Sequence, residues 1–209
     1  EHKKQSIILH NRRGYANVIE CETCGHVTYC SNCDVVMTYH KSANELKCHY
    51  CGHRAGKPTT CPSCHGINLN TKGVGVEQIE EETQKIFADA EVDRMDVDTM
   101  RKKFAYEKLI EDFENKEIDI LVGTQMITKG LDFDNVSVVG ILNADSIINF
   151  PDFRSYERAF SQMVQVSGRA GRKFHRGKVI IQTFNPYHQS IRDVIDHNYT
   201  SMYESQILE

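Results

Sequence analysis

The sequence lacks any apolar run of membrane-spanning length, and no secretory leader opens it, so a cytoplasmic protein without a membrane partner is expected. No methionine precedes Glu1-His2-Lys3-Lys4-Gln5, an opening expected of a segment excised from a longer protein. Cysteine is missing everywhere except between Cys21 and Cys64, where all eight fall. Without an export signal, that clustering favours metal over disulfides. Positive charge is also short: the net charge of -4 argues against an all-over nucleic-acid coat and leaves room only for a local basic track. A phosphate loop is absent. Gly56-Lys57 looks like the end of one, but Cys51 stands where its first glycine belongs and Pro58 where its hydroxyl belongs. No Asp-Glu box follows a strand to hold magnesium, so these residues are not expected to hydrolyse nucleotide alone.

What is present suits one large domain or two small ones: 209 residues, 40% hydrophobic and 26% charged. Residues 16–68 differ in kind from the rest. Cysteine recurs as Cys21-x2-Cys24, Cys30-x2-Cys33, Cys48-x2-Cys51 and Cys61-x2-Cys64, four knuckles that supply ligands for two tetrahedral thiolate sites with none left over. Gly25, Gly52 and Gly66 follow their knuckles where positive φ is cheap. The stretch has few aliphatic residues, so metal is expected to supply its folding energy. Three pairings of knuckles are possible. If the module interrupts a larger domain, its two ends must lie close, which favours Cys21, Cys24, Cys61 and Cys64 on one zinc. Cys30, Cys33, Cys48 and Cys51 then hold the other. His26, His40, His49, His53 and His65 are surplus to that ligand count.

Around this segment the pattern is α/β. Ser6–His10 reads as a short buried strand, followed by a turn at Asn11-Arg12-Arg13-Gly14-Tyr15. A basic pair beside an aromatic suits a nucleic-acid backbone or base, and equally a solvated surface turn. Helical spacing sets Val76, Ile79, Thr83, Ile86 and Phe87 on one face, with the glutamates of 77–82 on a solvated one. Strands are expected at 92–97, 118–122, 136–142 and 178–184. Helices are expected around Phe104, Leu109, Ile110 and Phe113, over 156–164, and beyond 185, the last with Ile191, Val194 and Ile195 buried. Strands alternating with helices imply a parallel sheet covered on both faces, with working residues beyond the strands' carboxyl ends.

Two loops carry candidate chemistry. Gly123-Thr124-Gln125-Met126-Ile127-Thr128-Lys129-Gly130-Leu131-Asp132-Phe133 begins where a strand stops. Its backbone amides, hydroxyl and amide side chains suit phosphodiester oxygens, and Asp132 suits a ribose hydroxyl or an arginine. After the next strand, Asn143-Ala144-Asp145 ends the sheet edge, and Pro151-Asp152-Phe153-Arg154 starts a helix, with Asp152 as its cap. That helix delivers Gln165-Val166-Ser167-Gly168-Arg169-Ala170-Gly171-Arg172. Guanidinium forks suit phosphate oxygens, and an arginine from a second lobe can stabilise a transferring phosphoryl group. The plain alternative is a basic, glycine-rich helix cap.

Taken together, the chain resembles the second motor lobe of superfamily 2 helicases. Gly123-Thr124-Gln125…Lys129-Gly130-x-Asp132-Phe133 is similar to motif V, and Gln165-x-x-Gly168-Arg169-x-Gly171-Arg172 to motif VI. With Asn11-Arg12-Arg13-Gly14-Tyr15, the four knuckles and Pro151-Asp152-Phe153-Arg154, the resemblance narrows to the PriA family of bacterial replication-restart helicases, over about residues 5–200. Two departures stand out: Asp134 where relatives often have proline, and Val76 where they often have threonine.

The resemblance implies a RecA-like lobe that begins at 1–15, is interrupted by the two-zinc module at 16–68 and continues over 69–209. It implies a 3′→5′ ATP-dependent DNA helicase that restarts stalled forks and starts primosome assembly. ATP and Mg2+ would be bound only with a first lobe outside these residues. Arg169 and Arg172 would face that nucleotide. Thr124, Gln125, Lys129, Gly130, Asp132 and Gln165 would couple it to the strand, and Arg12, Arg13 and Tyr15 would meet DNA. Single strands, forks, primosome proteins and single-strand-binding protein are the implied partners, the proteins through the zinc module. A different class of reading is a zinc-dependent binding module on an α/β scaffold with no motor role, and a third is thiol–disulfide exchange.

Overall fold

The computed structural model describes every residue except 1–3, 13–17, 102–103, 129–132, 150–153, 172–176 and 208–209. In chain order the elements are β1 (Gln5–Leu9), β2 (Val18–Cys21), β3 (Thr38–His40), β4 (Glu45–Lys47), β5 (Arg54–Gly56), β6 (Leu69–Lys72) and α1 (Val76–Ile86). There follow β7 (Val92–Met95), α2 (Ala105–Glu114), β8 (Ile120–Gly123), β9 (Val136–Ile141), α3 (Asp145–Ile148), α4 (Ser155–Ser167), β10 (Lys178–Ile181), α5 (Gln189–Ile195) and α6 (Tyr199–Ile207). They form two compact units: Glu1–Asn11 with Phe87–Glu209, and Arg12–Ile86. The second unit is wider than the cysteine-bearing stretch because it takes in β6 and α1.

The first unit is built on a five-stranded sheet, ordered β10-β9-β1-β8-β7, in which every pairing is parallel. All four residues of β8 are buried, as a central strand covered on both faces requires, and their near-continuous apolar run Ile-Leu-Val is the sequence signature of that position. The core gathers Ile7, Leu9, Leu121, Val139 and Ile141 from the strands, Leu109 and Phe113 from α2, and Ala159, Met163 and Val166 from α4. The last three recur at the spacing of one helical face. Phe113 meets Phe133 edge-on, ring centroids 4.6 Å apart. Buried Gln5 is a polar clasp within this core: its Nε2 donates to the Phe113 carbonyl at 2.6 Å and the Ile118 carbonyl at 2.7 Å. It thereby ties the end of α2, whose Phe113 carbonyl also accepts the Lys116 N–H, to the residues that lead into β8.

The second unit holds two small antiparallel sheets, β2-β6 and β3-β4-β5. Register in the first sets Val18 against Lys72 and Cys21 against Leu69, so the two ends of the segment run side by side. A small core does exist here: Ile19, Met37, Tyr39 and Leu46, completed by Cys30 and Cys48. Two of its six members are therefore proposed metal ligands.

Four sequence expectations need correction. Ile86 and Phe87 do not complete a buried face; they are 72% and 52% exposed. Nor is the glutamate face of α1 wholly solvated: Glu77 is buried and accepts the Ser42 N–H at 2.8 Å, and Glu81 pairs with Lys41. These contacts hold the first turns of α1 to the β3–β4 turn, so Glu77 and Thr83 are buried alongside Val76 while the apolar C-terminus is left exposed. Phe104 stands ahead of α2 with φ 66 and is exposed, and Ile195 at the end of α5 is exposed while Ile191 and Val194 are buried.

Candidate functional site: two thiolate clusters and an arginine loop

The four knuckles share one backbone design. In each, the first cysteine's carbonyl accepts from the residue four positions on: Gly25 to Cys21, Asp34 to Cys30, Gly52 to Cys48 and His65 to Cys61. Each first cysteine's N–H in turn donates to the carbonyl five positions on, at His26, Val35, His53 and Gly66. The residue after the second cysteine takes positive φ every time: Gly25 at 73°, Asp34 at 52°, Gly52 at 81° and His65 at 58°. The positive-φ role expected of Gly66 thus belongs to His65. Gly66 is needed for a different reason, since a Cβ there would lie 3.3 Å from the Cys64 Sγ.

These turns bring the sulfurs together in two groups: Cys21, Cys24, Cys61 and Cys64, and Cys30, Cys33, Cys48 and Cys51. The Sγ–Sγ separations are 3.6 Å for Cys21–Cys64, 3.7 Å for Cys24–Cys61 and 3.6 Å for Cys30–Cys51. A zinc–sulfur bond of about 2.3 Å in a tetrahedron gives edges of about 3.8 Å, so both clusters fit zinc. Backbone N–H groups of Asn32, Cys51, His53, Ser63 and Cys64 point at the cysteine sulfurs, which favours the thiolate form. The His53 N–H helps lower Cys51 to about 7, while the crowding sulfur of Cys51 pushes Cys33 up to about 12. Four thiols this close resist losing all their protons together, and a bound dication removes that resistance. Each cluster, with its donor set and spacing, fits one structural zinc.

In the sheet unit, Leu9, Met95, Gly123, Ile141 and Ile181 end their strands at one level. Beyond that edge stands Thr124, buried, with an Oγ1 that has no hydrogen-bond partner among the described residues. Gly123 has to be glycine, because a Cβ there would lie 2.5 Å from the Ile127 Cγ2 and 2.7 Å from the Met95 carbonyl oxygen. The chain then turns through a short 3-10 segment, Gln125–Thr128, beside the last turns of α4. Gln162 Nε2 donates to Gln125 Oε1 at 3.4 Å, and Arg169 Nη2 donates to the Thr128 carbonyl at 3.0 Å. Gln165, one turn from Gln162, is exposed.

Arg169 does not lie at the strands' carboxyl edge. The neighbouring Gly171 N–H donates to the carbonyl of Val136, which opens β9. The arginine loop therefore sits on the amino-terminal side of the sheet. The reason is topological: it follows a crossover helix, which runs back antiparallel to the strands it joins. Arg169 is half-buried, its guanidinium pKa is pushed down by that burial, and its Nε has no partner among the described residues. Arginine in such a setting stays charged.

Arg12 is half-buried, and its carbonyl accepts the Val76 N–H at 2.8 Å. Arg13, Tyr15, Lys129, Gly130, Asp132 and Arg172 lie outside the described residues, as does the cap expected at Asp152. Asp145 opens α3 and accepts from the Thr183 hydroxyl and the Phe184 N–H, both at 3.0 Å. Gln162 is a site residue that no motif in the sequence singles out, although its three-residue spacing from Gln165 puts both near one side of α4.

The helicase conserved C-terminal domain family matches residues 61–174, and the PriA DNA helicase Cys-rich region (CRR) domain matches residues 30–55. The chain is 48% identical over 204 residues to the replication restart protein PriA of Bacillus subtilis (strain 168), covering 98% of this chain and 25% of that protein. It is 44% identical over 201 residues to the PriA of Synechocystis sp. (strain ATCC 27184 / PCC 6803 / Kazusa), covering 94% and 24%. Against the PriA of Borreliella burgdorferi the identity is 41% over 205 residues, covering 98% and 31%. The chain thus spans about a quarter of the length of the first of these relatives. The parallel sheet with its interrupting cysteine module is the architecture these matches imply, and the chain belongs to the helicase conserved C-terminal domain family, in the form that carries the PriA cysteine-rich region.

Proposed function

We propose that this chain is the second motor lobe and zinc module of an ATP-dependent 3′→5′ DNA helicase that restarts stalled replication forks and initiates primosome assembly in the cytoplasm. The observation that carries the reading is the Arg169–Thr128 hydrogen bond at 3.0 Å, which ties the arginine loop to the loop beginning at Thr124. ATP and Mg2+ are held by a first lobe. Arg169 and Arg172 are presented to the terminal phosphate, where guanidinium charge offsets the charge that spreads over the transferring group. Thr124, Gln125, Lys129, Gly130, Asp132 and Gln165 carry the resulting motion to the strand.

Because the turn at 125–128 lies against α4, a shift of Arg169 toward nucleotide pulls on the same backbone that meets DNA. Arg12, Arg13 and Tyr15 add contacts to DNA. The segment 16–68, rigid through its two zincs, meets single strands, forked DNA, primosome proteins and single-strand-binding protein. None of the described helices is long and apolar enough to cross a membrane.

The test is Arg169→Ala in the full-length protein. Loss of DNA-stimulated hydrolysis by roughly 10³–10⁵-fold is expected, with DNA binding largely kept. Wild-type hydrolysis in that variant removes the finger role.

A further inference from the structure

Gly177 precedes β10 and has no part in the motifs described above. A Cβ built on it would lie 2.4 Å from the Ala170 carbonyl carbon, 2.6 Å from the Ala170 Cβ and 2.6 Å from the Gly171 nitrogen. Two of those three atoms are backbone and cannot rotate away. They also belong to the two residues that follow Arg169. From this contact we propose that Gly177 is a positioning residue: it lets the segment that leads into β10 close against the turn that leaves α4, and so fixes where Arg169 sits. The inference rests on the reading of Arg169 as the arginine that faces the nucleotide.

The stretch around Arg169 is anchored at successive points. The Arg169 N–H donates to Val166 and the Ala170 N–H to Ser167, continuing α4. The Gly171 N–H then donates to Val136 at 2.9 Å, with Gly171 at φ 78. Gly177 packs against this same peptide. Neither partner has slack, because Ala170–Gly171 is held by the β9 bond while Gly177 leads straight into a strand paired from Lys178 onward. Unstrained carbon–carbon contact begins at about 3.5 Å, so a methyl group at 177 forces a displacement of about 1 Å. A misplacement of about 1 Å in a catalytic constellation costs on the order of 10²-fold in rate. Gly177 has no side chain to reach a ligand and acts through the loop against which it packs.

The experiment compares Gly177→Ala, Arg169→Ala and the double variant in the full-length, zinc-loaded protein, reading kcat and KM for DNA-stimulated ATP hydrolysis, DNA affinity and thermal midpoint. Gly177→Ala is expected to lower kcat by roughly 10²-fold. KM and DNA affinity should stay within about twofold of the parent, and the double variant should match Arg169→Ala, since two changes acting through one group do not add. Ala170→Val presses on the same contact from the loop side and is expected to give the same fall in kcat, which covers the case in which Gly177→Ala folds poorly. Wild-type kcat in Gly177→Ala or Ala170→Val beside an inactive Arg169→Ala overturns the role of Gly177 and leaves the arginine reading standing. Full activity in Arg169→Ala overturns that reading, and this inference with it. Additive losses in the double variant also overturn it, because Gly177 then acts somewhere other than Arg169.

Discussion

Stripping zinc from the protein should unfold the Arg12–Ile86 unit and leave the five-stranded sheet standing. The four buried side chains of the small core that are not cysteines, Ile19, Met37, Tyr39 and Leu46, together stabilise it by about 6–12 kcal/mol at ~1.5–3 kcal/mol each. Two structural zinc sites contribute roughly 20–30 kcal/mol on the scale measured for zinc-finger peptides. Metal thus stabilises this unit more than its apolar side chains do. The sheet unit has no cysteine in its core and no reason to respond.

The assay is a chelator titration followed by a colorimetric zinc count and by amide NMR. Two zincs per chain should be released, with loss of dispersed signals from residues of the knuckles and of β2 to β6. Signals from β1, β8 and β9 should hold. Dispersed knuckle signals after both zincs have gone would refute the reasoning, as would a stoichiometry other than two. Acid should act in the same direction. Cys33 in the metal-free cluster is pushed up to about 12 by the Cys51 sulfur, so at neutral pH its proton must leave for zinc to bind. Zinc affinity, and the stability it confers, therefore falls as pH falls.

Two predictions concern the sheet unit by itself. Gly123→Ala should destabilise it by about 1–3 kcal/mol, as overpacking against fixed neighbours does, because the added methyl group meets Ile127 and the Met95 carbonyl. A urea midpoint unchanged from the parent would contradict the contact. Gln5→Ala removes the amide donor from the Ile118 carbonyl and from the Phe113 carbonyl, which keeps the Lys116 N–H, and should cost about 1–3 kcal/mol, read by the same urea titration. A loss below about 0.5 kcal/mol would mean that water replaces the amide.

The sheet and the thiolate clusters were legible in the sequence for the same reason: each rests on local pattern. Ile120-Leu121-Val122 and Val136-Ser137-Val138-Val139 have few alternatives to a buried parallel strand. The pairing of knuckles followed from requiring the segment's ends to meet, and the β2–β6 ladder is how they do. Misreadings arose where a non-local partner decided the outcome. The apolar spacing of Ile79, Ile86 and Phe87 suggested burial, but α1 is held through Glu77 and Glu81 to a turn some thirty-five residues earlier. Nothing in the spacing of α1 announces Ser42. The location of Arg169 needed topology as well as motif, since the rule about carboxyl ends governs loops that follow strands and this loop follows a helix. His65 in place of Gly66 at positive φ shows that four repeats of one turn constrain geometry more tightly than they constrain residue type.

The antiparallel ladder that joins Val18 to Lys72 also makes the cysteine segment a cassette. Its two flanks run on neighbouring strands, about 5 Å apart, so the segment is closed on itself by its own ladder. With its first and last strands zipped together, the segment between them is one closed loop, and any residue added between the knuckles lengthens that loop without parting the strands that shut it.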